Sequence, residues 1–534
     1  QFNQKHDLHV MGGFQAENLK QTQFGLQRDG IMFPNKPQVD LTNGLDYDGN
    51  PITPSVNGSR NDWATAGFFG RINYSYDGKY LLEANLRADG TSRFRKGNQW
   101  KTFPSFSLGW NVAREHFFEP LNNIVNILKF RASYGLLGNQ NTTNWYQTYQ
   151  TMSVGSSNGA WLMNGNKPNT ASAPGLVSAS LTWETIESYN LGLDWGVFNN
   201  RLTGSFDWYI RDTKNMVGNA PELPALLGTG VPITNNTDLR TSGWELSIGW
   251  NDRLNNGFTY GAKFNVSDAR TKITRYPNNP TKAVSTYIEG RYTNEIWGYT
   301  TVGLAKTDEE MQAHLATMPN GGQSALGSDW KAGDIMYADI NGDGKISGGS
   351  GTLNDTGDWT VIGNTTPRYL FGLDLNASWK GFDLRMFFQG VMKRDFWQGS
   401  TYLFGASNSG MWHATGIESV SDYFRNDDTW SVQEGYQSPN LNSYLPRPLY
   451  SNKNLQTQTR YLQSAAYIRL KNLQLGYTFP TRLTSRYGVQ NLRIYFSGEN
   501  LWTGTSLVDQ FDPETISGGS GGNGYPLSRT LSCG

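Results

Sequence analysis

The stretch YLLEANLRAD, residues 80–89, separates by parity into two chemically opposite sets. Tyr80, Leu82, Ala84, Leu86 and Ala88 are apolar, while Glu83, Asn85, Arg87 and Asp89 are polar or charged. Successive side chains of a β-strand point to opposite faces, so the segment reads as a strand with one apolar and one wet face. A soluble sandwich and a large barrel both contain such strands. In the first the polar face meets bulk water, and in the second it lines a wet lumen.

The pattern recurs along the chain. Pro104, Phe106, Leu108, Trp110 and Val112 alternate with Ser105, Ser107, Gly109 and Asn111. Leu128, Phe130, Ala132, Tyr134 and Leu136 oppose Lys129, Arg131, Ser133 and Gly135, and Tyr189, Leu191, Leu193, Trp195 and Val197 oppose Asn190, Gly192, Asp194 and Gly196. Leu202, Phe206, Trp208 and Ile210 share a face, and similar strands are read at 244–250, 258–266, 369–379, 382–388 and 492–496. Near Tyr467 the parity changes, and a bulge at Lys471 and Asn472 accounts for it. The count is about fourteen strands.

The connections then discriminate between sandwich and barrel. Short turns at Asp77-Gly78, Phe198-Asn199-Asn200, 251–256 and Lys380-Gly381 alternate with long segments at 18–62, 139–184, 213–240, 271–366 and 395–463. Tight turns at one end and long loops at the other are the asymmetry of an outer-membrane barrel. Trp110, Tyr134, Trp195, Trp208, Trp250, Trp379 and Tyr477 fall toward the ends of apolar faces, where amphipathic rings meet headgroups. The expected fold class is therefore all-β, a transmembrane antiparallel β-barrel with long extracellular loops.

Composition agrees. The 45 basic and 45 acidic residues balance, so no field of one sign recruits nucleic acid. Charged residues are 17% against 13% aromatics, and Gly numbers 61, a balance that favours sheet over helix. The single cysteine, Cys533, excludes a disulfide framework and a cysteine metal cluster. No apolar run is long enough for a membrane helix. In a barrel the alternating faces cancel in any hydropathy average. The first residues, Gln-Phe-Asn-Gln-Lys-His, lack the features of a signal peptide.

Several stretches carry a resemblance. LTWETIESYNLGLDWGVFNNRLTGSFDWYIRDTKNM (181–216), FPSFSLGWNVARE (103–115), YIRLKNLQLGYTFP (467–480) and NLRIYFSGENLWT (491–503) resemble the SusC/RagA family of TonB-dependent outer-membrane transporters. DINGDGKI (339–346), DWTVIGNTTPRYLFGLDLNASWKGFDLRMFFQG (358–390), DPE (512–514) and YPLSRT (525–530) extend the match across nearly the whole chain. The resemblance implies a barrel of about twenty-two strands with a plug in its lumen. Residues 1–534 would be its C-terminal part, with the plug, the TonB box and roughly eight strands upstream. It also implies a SusD-like surface lipoprotein over the outer mouth, energy supplied by TonB through the plug, and import of a glycan or a peptide.

Several local motifs admit both a functional and a plainer reading. Asp339, Asn341 and Asp343 place oxygens at positions 1, 3 and 5 of a calcium-loop pattern, with the Lys345 carbonyl as a further ligand. Ser350 stands where an EF-hand has Glu, so Asp355 or Asp358 would have to close a structural Ca2+ site. The plainer reading is a cluster of Asx turns without metal. His6 and His9 would face opposite ways on one strand, and the other histidines are scattered. Asp427-Asp428 and Glu309-Glu310 read as loop charge, no nucleophile motif is present, and the Gly-rich 518–524 run fits no phosphate loop, so no enzyme is expected. The long connections 271–366 and 395–463 carry Trp297, Trp330, Trp397, Tyr402, Trp412 and Trp430. These rings read as platforms for a ligand or partner, or as packing that holds the loops together. The function expected is uptake of an oligosaccharide, with a peptide as alternative. The rivals are a passive fourteen-stranded porin and a soluble carbohydrate-binding β-protein.

Overall fold

In the computed structural model the described residues are 5–140, 144–155, 162–171, 174–224, 226, 228–399, 401–404, 421–516 and 524–534. Fourteen strands form one antiparallel sheet in which each pairs with the next in chain order. They are β1 (His6–Gln27), β2 (Ser55–Tyr76), β3 (Tyr80–Thr91), β4 (Trp100–Asn111), β5 (Val125–Asn139), β6 (Glu184–Val197) and β7 (Leu202–Asn219). There follow β8 (Ile233–Arg253), β9 (Thr259–Arg275), β10 (Arg368–Trp379), β11 (Phe382–Lys393), β12 (Tyr467–Thr478), β13 (Arg493–Thr505) and β14 (Thr530–Cys533).

The tight turns follow from residues that tolerate left-handed backbone. Asp77 and Gly78 have φ of 54° and 63°, and Lys380 and Gly381 have 47° and 91°. Positive φ at both central positions gives the turn whose twist matches the strands it joins. Phe198, Asn199 and Asn200 are all left-handed, at 56°, 58° and 60°. The turn read at 251–256 lies slightly later, because β8 runs to Arg253 and Leu254 N–H donates to the Phe258 carbonyl. The bulge near Tyr467 is present. Asn472 pairs with Phe387 and Leu470 with Phe388, leaving Lys471 without a partner position.

Register aligns the apolar sets into rows. Leu82, Leu108, Ala132, Leu191, Trp208 and Trp244 are successive cross-strand neighbours. Phe68, Leu86, Phe106, Leu108 and Leu191 on this face are exposed. Such a broad apolar surface is stable against hydrocarbon rather than water. Leu202 to Ile210 on β7 spans the nine or so residues that a tilted strand needs to cross a bilayer. Trp250, Trp379 and Tyr477 stand at the tight-turn end of this face, and Tyr134 stands toward the long connections.

Two expectations need correction. Residues 18–62 were read as one long loop, yet β1 continues to Gln27 and β2 begins at Ser55. Beyond the bilayer both faces are wet, so the run Lys20, Gln21, Thr22, Gln23 shows no alternation although it is strand. The described parts of the segments 271–366 and 395–463 are not loose loops either. With residues 507–516 they fold into one outer body around a shared core of Tyr299, Met311, Trp330, Ile335, Tyr337, Ile346, Leu403, Phe404, Phe424, Tyr461, Phe511 and Ile516. A short helix, α1 (Asp308–Ala316), belongs to it, capped by Thr307, whose hydroxyl accepts from Glu310 N–H. Glu310 accepts in return from Lys306 N–H at 2.6 Å, so Glu310 serves to cap the helix.

Candidate transport surface and outer mouth

Opposite the apolar rows lies a polar wall. Glu83, Arg87, Lys129, Arg131, Asp194, Asp207, Glu245, Lys263, Asp374 and Arg385 all share the parity opposite to the exposed apolar set. Many of these charges neutralise one another across strands. Arg131 donates to both oxygens of Asp194 and both of Asp207, each at 2.9 Å. Arg385 donates to Asp374 at 2.7 Å across β10 and β11, whereas Arg87 pairs with Asp89 at 2.6 Å within β3. Lys129, Glu245 and Lys263 make no ion pair among the described residues, so they stay available to whatever fills the lumen. Asp7, His9, Asn73, Glu83, Ser107 and Lys129 line a recess of about 450 Å³ on this wall.

The outer body is held by buried polar groups. Asp334 is completely buried and accepts from Arg447 (2.8 Å to each oxygen), Asn454 (2.8 Å), Lys453 (2.9 Å) and Lys331 N–H (2.9 Å). Burial pushes this carboxyl up, but the Arg447, Asn454 and Lys453 hydrogen bonds outweigh that and hold it below the ordinary range. Lys453 also donates to the Ser328 and Asp329 carbonyls and lies 4.7 Å from the Trp330 ring centre. Gln323, also fully buried, donates to the Ile335 carbonyl and accepts from Tyr337 N–H. A second tie joins the body to the wall. Arg469 of β12 donates to Asp512 and Glu514, each at 2.8 Å, and Lys471 reaches Glu514 at 3.0 Å. Arg469 and Lys471, two residues apart on one strand, thus both meet the DPE segment.

The predicted ring residues separate into different roles. Trp330 is buried edge-on against Tyr337, and Trp397 packs on the same core. Trp330 cannot stack on a ligand while that core is intact, which corrects the platform reading for it, whereas Trp397 is half-buried at the edge of the core. Their apolar rings are used to give three long connections a common interior. Trp297 lies under the Arg291 guanidinium, 5.1 Å away, and is half-buried. Trp430 is 67% exposed and stands 5.6 Å from the equally open Tyr436. The side chain of Tyr402, and the whole of Trp412, lie outside the described residues.

The acidic motif folds as Asx turns. Asp339 accepts from Gly342 and Gly344 N–H, Asn341 from Asp343 N–H, and Asp343 from Lys345 N–H. Asp358 is fully buried and closes the loop by accepting from Ile340 and Ser347 N–H, both at 2.8 Å. Burial pushes its carboxyl above the usual range. Asp355 instead caps a separate turn through Ser350 N–H. Among the described residues no three His, Cys, Asp or Glu side chains converge as a metal site. His6 bonds Tyr74 while His9 meets Asp7 on the other face, as strand parity requires. The Asp334 cluster and the Arg469 tie were not found from the sequence. Their partners lie far apart in the chain, and periodicity carries no such signal.

A fourteen-stranded meander with one lipid-compatible face, one wet face and a folded outer cap defines the wall of a membrane-embedded β-barrel. A family profile described as "TonB dependent receptor-like, beta-barrel" matches residues 1–390. The chain belongs to that family, and the outer-membrane location and the SusC/RagA likeness read from its motifs both hold. It is 29% identical over 524 residues to TonB-dependent receptor P3 of Formosa agariphila, covering 95% of this chain and 47% of that receptor. It is 27% identical to TonB-dependent receptor SusC of Bacteroides thetaiotaomicron, covering 87% of this chain and 42% of SusC. The chain therefore spans about half the length of the curated relatives it matches. A solved structure of the RagAB peptide transporter superposes with a TM-score of 0.76 at 22% identity, covering all of this chain and 53% of that one.

Proposed function

We propose that this chain forms wall and outer mouth of a TonB-dependent importer that takes up an oligosaccharide together with a SusD-like surface lipoprotein. The observation that carries the reading is the polar wall opposite the lipid face, on which Lys129, Glu245 and Lys263 make no close ion pair among the described residues. A wall of that kind suits a hydrated cargo and a plug that moves against it. The oligosaccharide rests on the exposed pair Trp430 and Tyr436, beside Gln437 and Ser431, because flat rings stack on sugar faces while amides and hydroxyls meet sugar hydroxyls. No covalent chemistry is involved. The test uses the whole transporter with its lipoprotein, in cells and after detergent extraction. Saturable, proton-motive-force-dependent uptake of labelled oligosaccharides is expected, weakened several-fold by the Trp430→Ala, Tyr436→Ala pair. Uptake of peptides alone would replace the cargo and leave the importer standing. Uptake indifferent to the proton-motive force would remove active import.

The same reading keeps a structural calcium ion at Asp339, Asn341, Asp343 and the Lys345 carbonyl, with Asp358 as loop closure. It is supported by the three side-chain oxygens carried on one turn, and Asp355 is not part of it.

A further inference from the structure

On the lipid-facing surface the rows can be followed upward, toward the long connections. One row is Leu193, Phe206, Leu246, Val266 and Phe371, wholly apolar. The next, about 7 Å along the strand, is Leu191, Trp208, Trp244 and Asp268. Then come Tyr189, Ile210, Ser242 and Arg270, and above them Glu187, Asp212, Arg240 and Lys272. Hydrogen bonds confirm that these side chains share one side: Tyr134 and Tyr189 both donate to Glu187, which also pairs with Lys214. The face changes from hydrocarbon-compatible to charged within two rows, as expected where a barrel strand passes from hydrocarbon into the headgroup region.

The charges in this band do not cancel. Glu187 is taken by Lys214, Asp212 by Arg240 at 2.7 Å, and Asp268 by Arg368. Arg270 and Lys272 remain, and neither forms an ion pair among the described residues. Arg270 lies over the Tyr292 ring at 3.6 Å, held in place but not neutralised. Lys272 stands directly opposite Arg240 across the β8–β9 pair. Arg240 gives Nε and Nη2 to Asp212, which offsets its charge, so the unmet charge of this band sits on Lys272 opposite it and on Arg270 one row below. Lys214, Arg240, Arg270 and Lys272 are all exposed.

We propose that Arg240, Arg270 and Lys272 form a binding site for the phosphate-bearing head group of an outer-leaflet lipid. A phosphate beside Arg240 and Lys272 supplies the counter-charge that Lys272 lacks. Arg270 faces the same band one row below, where a second anionic oxygen group of the same head group would sit. Guanidinium forks match phosphate oxygens in pairs, and each basic residue at a charged membrane surface contributes independently. The lipid chains then lie against Trp208, Trp244 and Leu191.

The test uses the full-length transporter in nanodiscs of zwitterionic lipid, doped either with a lipid bearing phosphate monoesters or with inorganic phosphate in the buffer. Lipid retained per transporter after detergent exchange is measured by mass spectrometry. Retention of the phosphate-bearing lipid is expected to fall about fivefold for each cation removed in R240Q, R270Q and K272Q. K263Q on the wet wall removes a cation from the opposite face and is expected to retain the lipid fully. Equal loss in K263Q, or unchanged retention in the triple variant, would overturn the proposal. Competition by millimolar inorganic phosphate as strong as by the lipid would assign the patch to a free anion and equally overturn it. If the triple variant fails to fold, the single variants and the salt dependence of retention decide, since screening weakens a head-group contact but not an apolar one.

Discussion

At the scale of the residue, Asp334 shows how the outer body is secured. A carboxylate with no exposure is tolerated only because cationic and neutral donors surround it, and removing one side of such a cluster leaves an uncompensated charge. Asp334→Ala is expected to destabilise the outer body by about 3–5 kcal/mol, read as an earlier transition in Trp fluorescence. The pH dependence has a definite sign. Asp334 and Asp512 are held below the ordinary carboxylate range, so their stabilisation is present above about pH 4. It is lost as pH falls through their lower folded values. Asp358 is raised by burial and acts in the opposite sense, costing stability as it ionises between the ordinary and its higher value. The outer body should therefore loosen on acidification below pH 4, and a transition insensitive to pH there would contradict the account. Calcium is expected to raise the same transition through Asp339, Asn341 and Asp343, with Asp343→Ala abolishing the gain. An unchanged transition on chelation in the wild type would remove the ion from the account.

At the scale of the element, parity is the property that decides. Leu193 and Asn190 are three residues apart on β6 and face opposite sides. Leu193→Arg places a charge in hydrocarbon and is expected to cost about 2–4 kcal/mol. Asn190→Arg on the wet wall should be near neutral. Denaturant unfolding of the full transporter in lipid distinguishes them, and equal costs would mean the faces are misassigned. The same parity explains what was legible beforehand. Alternation exposed the membrane-spanning parts of the strands, the Lys471 bulge and the tight turns, because lipid imposes a strict rule on one face. It gave no sign of the strand extensions at 18–27 and 55–62, where water lies on both sides. Glycine marks a related limit. A Cβ on Gly204 would lie 2.1 Å from the Trp195 ring, a close cross-strand approach that no period announces.

At the scale of the whole molecule, wall and outer body are joined at identifiable points, of which Arg469 with Asp512 and Glu514 is the most buried. Arg469→Met is expected to leave the wall folded while making the 507–516 segment more open to protease, and Asp512→Asn should add little to it, since both remove one interaction. Fully additive effects would mean the two residues act apart. The aromatic richness of 271–366 and 395–463 was visible in the sequence, but its meaning was not, since a ring that packs and a ring that binds look alike until its neighbours are known. The two parts also differ in when they can be completed. Every wall strand pairs with the one just made, so the sheet can extend step by step as the chain is delivered. Asp334 must wait for Arg447, Lys453 and Asn454, and the outer core for Ile516, more than a hundred residues later. The mouth thus cannot be completed before β12 and β13 are delivered, and a chain lacking them would carry a partial wall beneath an unfinished, protease-sensitive entrance.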